Sequence, residues 1–169
     1  MRFGKHTRQS TMSEPSFAIR PIIIADAEAI ALMARELTAH LQALGDSVTY
    51  CLTAERVRGD GFGPDPAFQG IIAERDGEAL GYLLYHPAYD TDRAERYLIV
   101  CDLFVREGAR HQGVGRALMS AAMAHCRALG GCGLEWAVYK PNKAAVAFYR
   151  SLGAAPFDTL DLMWWPAKE

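Results

Sequence analysis

A glycine-rich turn between an apolar strand and a helix constrains the fold of this chain most strongly. Residues 97–105 are nearly all apolar, which is typical of a strand buried on both faces. The turn over 108–115 follows, and apolar or small residues recur at helical spacing over 114–121. The helix ends at Gly130-Gly131, and a second apolar run covers 134–139. This order predicts a strand–helix–strand crossover, so the two strands are parallel.

Upstream of this unit, the pattern predicts one strand followed by two helices. The strand covers residues 17–24 and is interrupted by Pro21. Asp26 is predicted to cap a long amphipathic helix that Gly45 ends, its carboxylate accepting the free N–H groups of the first turn. A shorter helix is predicted to start after Thr53 and to stop near residue 59.

A hairpin connects these helices to the apolar strand. A loop rich in Gly, Pro and Asp covers residues 59–66. Strands over 70–74 and 80–85 are joined by Asp76-Gly77, a pair that tolerates positive φ at both central positions of a tight turn. A polar loop over 87–93 then leads to the apolar strand.

The C-terminal part predicts one more helix and one more strand. The helix covers residues 142–152 and is stopped by Gly153, and the strand covers 162–165. Together these elements predict an α/β domain with a mixed, mostly antiparallel sheet and helices on its faces. We expect residues 16–169 to form one domain, preceded by a mobile leader over 1–15 in which Met12 could be an alternative start.

Composition limits the classes of partner. Half of the 169 residues are hydrophobic and the net charge is −2, so no basic field is expected to recruit nucleic acid. The apolar runs are too short to span a bilayer, and we expect no membrane partner. The four cysteines occur singly, without Cys-x-x-Cys spacing, which argues against a zinc site and favours a reducing cytoplasm. We expect no metal.

The turn carries the features of an anion site. Gly113 and Gly115 allow the backbone to expose N–H groups at a helix N-terminus, where the helix dipole favours negative charge. Arg110 and Arg116 add full positive charges, so a diphosphate fits better than a purely steric role for the glycines. A dinucleotide fingerprint would need a small residue at Leu118, and a nucleoside-triphosphate loop would need Lys followed by Ser or Thr after the last glycine.

The sequence here resembles a known superfamily. Arg110-His111-Gln112-Gly113-Val114-Gly115, after the strand Asp102-Leu103-Phe104-Val105, resembles the acetyl-CoA-binding motif of the GNAT N-acetyltransferases. Residues 142–154, which open on Asn and contain Phe148-Tyr149 and Leu-Gly, resemble the second CoA motif of that superfamily. Together with Leu134-Glu135-Trp136, they resemble the diamine-acetyltransferase branch in particular.

The resemblance implies a fold and a set of binding residues. Strands 97–105 and 134–139 would splay apart and admit the pantetheine of acetyl-CoA, whose amides would pair with the main chain of Leu103 and Val105. The N–H groups of 112–116 would hold the pyrophosphate. Asn142 would either cap its helix or reach the pantetheine. The implied cofactor-binding set is Leu103, Phe104, Val105, Arg110, His111, Gln112, Gly113, Val114, Gly115, Arg116, Asn142 and Tyr149.

Tyr149 is the candidate general acid. Attack of an amine on the thioester gives a tetrahedral adduct whose collapse expels a thiolate, and a nearby phenol can protonate that sulfur. The pattern alone would also suit core packing, because Tyr149 shares an apolar stripe with Ala145, Phe148 and Leu152. Its match to the Phe-Tyr position of the superfamily favours the acid role.

The general base is left open between several residues. Diamine-type relatives place a glutamate beside the aspartate of this strand, whereas this chain has Cys101 there. Asp102 is the principal candidate, and Glu74, His86 and Glu135 remain, acting directly or through water. Cys101 as a covalent acetyl carrier is a minor alternative, since a cysteine in a buried strand is usually inert.

Further residues are candidates for the acceptor side. An acidic loop with Asp90, Asp92 and Glu95 could attract a cationic amine, or could simply be solvated. Trp164 and Trp165 are predicted to alternate faces on the last strand, one in the core and the other against the acceptor.

The sequence therefore predicts transfer of an acetyl group from acetyl-CoA to a primary amine by direct attack. A small amine, such as a diamine, polyamine or amino-acid derivative, is favoured over a protein lysine or N-terminus. A non-catalytic acyl-CoA-binding module is the alternative from another class. A homodimer would suit exposed sheet edges.

Overall fold

The computed structural model describes residues 16–167 and contains one five-stranded sheet covered by four helices. The predicted leader, including Met12, lies outside the described residues. The sheet follows chain order, with β1–β4 antiparallel and the last pair parallel. The strands are β1 (Ala18–Pro21), β2 (Gln69–Arg75), β3 (Glu78–Asp90), β4 (Glu95–Val105) and β5 (Gly131–Glu135). The helices are α1 (Ala27–Ala43), α2 (Ala54–Phe62), α3 (Val114–Ala128) and α4 (Lys143–Ser151).

Each face of the sheet has its own core. One face packs against α3, with Leu83, Leu98 and Leu118 at the centre of its buried cluster. The other face packs against α1 and α2, where Ile30 and Tyr82 are fully buried. Helices on both faces of a mixed sheet confirm the α/β fold class. None of the helices in the described part of the chain is long and apolar enough to cross a membrane.

The β2–β3 hairpin has the predicted turn. Asp76 and Gly77 have φ angles of 52° and 80°, and Arg75 pairs with Glu78 across the turn. Positive φ at both central positions matches the right-handed twist of the flanking strands, so this dipeptide sets the register of the hairpin.

The parallel pair β4–β5 separates after a few residues. Its pairing runs from Arg96 opposite Gly131 to Ile99 opposite Glu135, and β5 ends there. β4 continues to Val105 without β5 beside it. The predicted parallel crossover and the splay are confirmed, whereas the predicted strand over 134–139 is displaced: the segment after Glu135 has lost its neighbour and is not a strand.

A β-bulge at Cys101 reverses the faces of β4. The β3–β4 register places Val100 opposite Tyr85 but Asp102 opposite Leu84, which leaves Cys101 as the extra residue. Leu98 and Val100 therefore face α3 before the bulge, and Leu103 and Val105 face the same side after it. Asp102 and Phe104 consequently turn toward the α1–α2 side. The prediction of a strand buried on both faces is wrong at Cys101, whose side chain is exposed.

The first strand is shorter than predicted. β1 ends at Pro21, and Ile24–Asp26 form a 3₁₀ turn that leads into α1. The side chain of Asp26 makes no capping hydrogen bond to α1. Its carboxylate instead accepts the N–H of Ile23 at 2.8 Å and two hydrogen bonds from the Arg20 guanidinium. The predicted cap is wrong because Arg20 is a stronger, bidentate partner.

Two predicted loops are partly regular structure. α2 begins after Thr53 as predicted, with the Thr53 hydroxyl accepting the N–H of Arg56, and it continues past Gly59 to Phe62. β3 runs through Pro87 to Asp90, so the loop predicted from residue 87 starts only at 91. Pro87 is tolerated in β3 because the pairing with β2 ends at Tyr85. Beyond Tyr85, the β2 side of β3 is a free edge, where the missing N–H of proline costs no ladder hydrogen bond.

The predicted C-terminal strand is not formed. Residues 156–167 carry no helix or strand, and Trp164 and Trp165 are 86% and 89% exposed. Neither indole therefore packs in the core or walls a site within the described chain.

Candidate active site

The N-terminus of α3 presents free backbone N–H groups to open space. The first intrahelical hydrogen bond runs from the N–H of Ala117 to the carbonyl of Gly113, so the N–H groups of Val114, Gly115 and Arg116 have no intrahelical acceptor. Gly113 has a φ of 85°, and a Cβ built on it would meet no heavy atom within 4 Å. This positive helix end is accessible to an anion.

Gly115 has a different role, close packing. A Cβ on it would lie 3.2 Å from Cζ of Phe148 and 3.7 Å from a methyl carbon of Val105. Glycine therefore lets α3 approach both β4 and α4. Val114, one of the predicted binding residues, is buried in the core, so only its backbone can face a ligand.

Side chains hold the turn in place. Arg110 donates from Nε to the carbonyl of Val105 at 3.1 Å, and its guanidinium carbon lies 5.8 Å from the ring centre of Phe104. Gln112 donates to the carbonyl of Gly108 at 2.7 Å and accepts a hydrogen bond from Arg75 at 2.9 Å. These ties fix the path of the backbone from β4 into α3.

The remaining residues of the turn lie at the surface. His111 is exposed and has a positive φ of 61°. Arg116 is exposed as well and donates to the carbonyl and hydroxyl oxygens of Ser151 at 3.3 and 3.2 Å, at the end of α4. The two predicted arginines therefore connect elements around the helix end as well as adding charge there.

The gap between β4 and β5 is lined by side chains of β4 and α4. Leu103 and Val105 are half-buried on the α3 side, together with Phe148 and Tyr149. Phe104 points to the opposite core and is buried, so its side chain does not belong to this gap. The gap thus offers an apolar wall and the free edge of β4 beyond Ile99.

Asn142 caps α4 and thereby places Tyr149. The Asn142 side-chain oxygen accepts the N–H of Ala145 at 3.1 Å, which is the first of its two predicted roles. About two helical turns further on, Tyr149 packs against aromatic neighbours, with its ring centre 4.8 Å from that of Trp136 and 5.2 Å from that of Phe148. Burial, and secondarily the charge of Asp102, raise the pKa of Tyr149 to about 12.

Asp102 is held by a buried tyrosine. The hydroxyl of Tyr82, which is fully buried on β3, donates to Oδ2 of Asp102. Burial raises the pKa of the Asp102 carboxyl, while the hydrogen bonds from Tyr82 and from the N–H of Leu103 oppose that rise. Burial and the neighbouring carboxylate also raise the pKa of Tyr82, which therefore stays a donor.

The other base candidates lie in different places. Glu74 pairs with Arg20 at 2.7 Å on β2 and is not a free carboxylate. His86 lies opposite Ile99 on β3, and Glu135 lies opposite Ile99 on β5, so the strand register puts both beside the same residue of β4. They therefore share one row of the sheet.

Cys101 is poorly suited to act as a nucleophile. Although the residue is exposed, partial desolvation of the sulfur by its neighbours first, and then the charge of Asp102, raise the pKa of its thiol, which lowers the thiolate fraction at neutral pH.

The acidic loop is organised by its own backbone. Asp90 accepts the N–H groups of Asp92 and Arg93 at 2.9 and 3.1 Å, so its carboxylate closes the turn between β3 and β4. Asp92 and Glu95 are exposed. Among residues 16–167, no three His, Cys, Asp or Glu side chains gather where a metal ion could bind.

Sequence reasoning missed Tyr82 and the bulge. Tyr82 lies within a continuous apolar run of β3, a pattern typical of core packing. The bulge has no local signal, because it appears only when β4 is aligned with β3. The strand register reveals the bulge, and the hydrogen bond to Asp102 reveals the role of Tyr82.

Comparison with known proteins agrees with this geometry. Residues 37–154 match the model of the acetyltransferase (GNAT) family. The chain is 33% identical over 147 residues to the thialysine N-epsilon-acetyltransferase of Sus scrofa, covering 82% of this chain and 84% of that protein. It is 34% identical over 95 residues to the L-ornithine N5-acetyltransferase of Arabidopsis thaliana, covering 55% and 42%. The crystal structure of a possible acetyltransferase from Clostridium difficile 630 shares the fold, with a TM-score of 0.75 at 17% identity, covering 90% and 99%.

Proposed function

Because this chain belongs to the GNAT acetyltransferase family, we propose that it moves an acetyl group from acetyl-CoA to the primary amine of a small molecule by direct attack. The observation that carries the proposal is the joint presence of an open helix N-terminus, a splayed strand pair and the half-buried Tyr149 beside that splay. We further propose a cytoplasmic location, which four free cysteines would suit.

The residues around the α3 N-terminus fit a diphosphate. The N–H groups of Val114, Gly115 and Arg116 lack intrahelical acceptors, and the space in front of Gly113 is clear. The free edge of β4 at Leu103 and Val105 would pair with the amides of the pantetheine arm, as an added strand does. The carbonyl of Val105 already accepts a hydrogen bond from Arg110. The other free backbone groups of Leu103 and Val105 would therefore bind the pantetheine amides. Bound acetyl-CoA supplies the acetyl group as a thioester.

Tyr149 would act as the general acid. Its pKa of about 12 keeps the phenol protonated throughout the physiological range, so the proton is available for the departing sulfur. The aromatic contacts with Trp136 and Phe148 fix the ring and limit the entry of water. A residue with these properties beside the strand gap is better suited to donate a proton than to accept one.

Asp102 would take the proton from the acceptor amine. An alkyl ammonium has a pKa of about 10.4 and must lose a proton before it can attack. A carboxyl whose pKa is raised by burial is a stronger base than an exposed one, which brings it closer to this task. His86 and Glu135, in the same row beside Ile99, would relay the proton to solvent through water.

Cys101 supports direct attack rather than an acetylated enzyme. The raised pKa of its thiol disfavours the thiolate that a covalent route would need. With no glutamate at this position, the proposal relies on the carboxylate of Asp102 as the base.

The class of acceptor is inferred from the relatives. Several relatives that are 33–34% identical to this chain are named for thialysine, and a further one is named for L-ornithine. Both compounds are small amino acids with a side-chain amine. We therefore propose a small amine of this chemical type, ahead of a protein lysine or N-terminus.

A panel of acceptors tests the proposal. The release of free CoA thiol is followed with diamines, polyamines and ω-amino amino acids on one side, and with lysine-containing and free N-terminal peptides on the other. The proposal expects kcat/KM to be at least about tenfold higher for the best small amine than for the best peptide. Preference for peptides would instead assign a protein acceptor, and no release with any acceptor while acetyl-CoA still binds would favour a non-catalytic binding module.

A further inference from the structure

The hairpin of β2 and β3 contacts both ends of the segment that leads from β4 into α3. We call residues 106–113 of this segment the entry turn. At its start, the N–H of Arg106 donates to the carbonyl of Leu80 at 2.9 Å. Near its end, Nη2 of Arg75 donates to Oε1 of Gln112 at 2.9 Å. Arg75 belongs to no sequence motif of the candidate site, yet it is hydrogen-bonded to the turn that precedes the open end of α3.

Gln112 is bonded on both sides of its amide and lies between two residues with an uncommon backbone. Its oxygen accepts the hydrogen bond from Arg75, and its nitrogen donates to the carbonyl of Gly108 at 2.7 Å. His111 and Gly113, on either side of it, have φ angles of 61° and 85°. A non-glycine residue in this left-handed region is uncommon, so bonds from outside the turn are needed to favour it over other conformations. The two bonds of Gln112 supply them.

Arg75 is itself held in place for this contact. Its Nε donates to the carbonyl of Ser16 at 2.9 Å, and its Nη2 also donates to the Ser16 hydroxyl at 2.9 Å. Within residues 16–167, the ion pairs do not include Arg75, so no carboxylate competes with Gln112 for its guanidinium. A donor fixed in this way requires the amide oxygen of Gln112 to face it, which leaves the amide nitrogen for Gly108.

We propose that Arg75 is a positioning residue for the diphosphate of acetyl-CoA. Through Gln112, it holds the entry turn in the conformation that presents the free N–H groups of α3 to the ligand. A turn that is ordered before binding loses less conformational freedom when the ligand binds, so its affinity is higher. This inference rests on the proposed function. The effect is confined to thioesters that carry the diphosphate, because the pantetheine arm would bind along β4.

The affinity for CoA tests the contact without requiring catalysis. Arg75→Met keeps the aliphatic stem and removes the donors, so the dissociation constant of CoA in isothermal titration calorimetry should rise about tenfold. Arg93→Met is the matched control, because it removes the same charge at the opposite end of β3, where Arg93 lies 3.7 Å from Asp90 in its own loop. That variant should bind CoA as the wild type does. An unchanged dissociation constant in Arg75→Met, or an equal rise in both variants, would overturn the proposal.

A double-mutant cycle tests whether Arg75 acts through Gln112. Gln112→Ala should also weaken the binding of CoA. Adding Arg75→Met to Gln112→Ala should then change the dissociation constant by no more than about twofold, because the route between Arg75 and the turn is already cut. A further rise of about tenfold in the double variant would show that Arg75 acts independently of Gln112 and would overturn the positioning role.

Steady-state kinetics separate positioning from a general effect on the fold. With an accepted amine, Arg75→Met should raise the KM for acetyl-CoA about tenfold and leave kcat unchanged. With S-acetylpantetheine, which lacks the diphosphate, kcat/KM should equal that of the wild type. Equal falls with both thioesters would assign Arg75 a role in the fold alone and would overturn the proposal.

Failure of this inference can be distinguished from failure of the proposed function. A wild type that binds CoA in calorimetry but transfers no acetyl group would contradict the proposed function, while the calorimetric comparison of Arg75→Met and Arg93→Met would still decide the role of Arg75. A wild type that transfers acetyl groups, with Arg75→Met unchanged in both KM and CoA affinity, would overturn this inference alone. A wild type that does not bind CoA would overturn both.

Discussion

Tyr82 donates its hydroxyl hydrogen to Asp102, from the middle of β3 to the residue that follows the bulge in β4. The tyrosine is fully buried, and its raised pKa keeps the hydroxyl protonated, and therefore a donor, near neutral pH. The bulge at Cys101 turns Asp102 toward Tyr82, and the hydrogen bond then limits how far burial raises the pKa of the carboxyl. Tyr82 is thus a positioning residue for the proposed base.

Removing that hydroxyl should move the pH profile. In Tyr82→Phe, the pKa of Asp102 should rise further, because a hydrogen bond that favours the carboxylate is lost while burial remains. The active form of a base is the deprotonated one, so the acidic limb of kcat/KM should shift to higher pH. Tyr85→Phe, also buried on β3 but with its hydroxyl not bonded to Asp102, is the control. If kcat/KM depends on pH in the same way in both variants, Asp102 is not the base.

If the α3 N-terminus binds the diphosphate of acetyl-CoA, a side chain placed there should abolish the stabilisation of the fold by acetyl-CoA. Acetyl-CoA should raise the melting temperature of the wild type by mass action. Gly113→Asn keeps a residue that tolerates positive φ but puts a side chain in front of the helix end, so this rise should disappear. Gly130→Asn makes the same change at the other end of α3, where φ is 73° and the space is also open. An undiminished rise in Gly113→Asn would exclude the diphosphate site.

Tyr149→Phe should separate chemistry from packing. The ring keeps its contacts with Trp136 and Phe148, so the melting temperature should hardly change, while kcat should fall about 10²-fold or more. Because the pKa of Tyr149 is about 12, wild-type kcat should show no alkaline decline from this group below about pH 11. Tyr139→Phe, in the segment between β5 and α4, is the control. If kcat is unchanged, Tyr149 is a core residue without a chemical role.

The ion pair between Arg20 and Asp26, which precedes α1, should make the free energy of unfolding depend on pH. Asp26 is nearly buried and accepts two hydrogen bonds from Arg20, which hold the pKa of its carboxyl below the ordinary value. Because the pKa of Asp26 is lower in the folded state, its ionised carboxylate stabilises the fold above about pH 4. This contribution is lost as the pH falls through the folded-state pKa and the carboxylate is protonated. Arg20→Met should therefore cost about 2 kcal/mol at neutral pH and less in acid.

An exposed pair provides the comparison for that variant. Arg58 and Glu28 also form an ion pair at 2.8 Å, but both side chains face solvent. Arg58→Met should cost about 0–1 kcal/mol in urea unfolding. Equal losses in the two variants, or a loss in Arg20→Met that does not depend on pH, would show that burial of Asp26 is not the cause.

Most elements were predictable because their signals are local. Asp76-Gly77 forms the predicted tight turn, α2 begins after Thr53 as predicted, and Asn142 has the first of its two predicted roles; each of these signals acts within a few residues. The bulge at Cys101 and the end of β5 at Glu135 depend on the pairing with a neighbouring strand, and no local pattern encodes that pairing.

The C-terminal segment illustrates the same limit. Residues 162–165 have a strand pattern, but a strand forms only where it pairs with another strand, and these residues pair with none of the described strands. In the candidate site, the motif residues of the turn were predictable from glycine and charge. Tyr82 was not, because a core tyrosine and a positioning tyrosine have the same sequence pattern until the register is known.

Transfer of a labelled acetyl group tests the central claim most directly. The protein is incubated with acetyl-CoA that carries isotopically heavy acetyl carbons and with the acceptor panel at several pH values, and the products are examined by mass spectrometry. The account predicts a small amine that carries the heavy acetyl group on its primary nitrogen, formed by the wild type and strongly reduced in Tyr149→Phe. No labelled amine at any pH, with acetyl-CoA still raising the melting temperature, would contradict it.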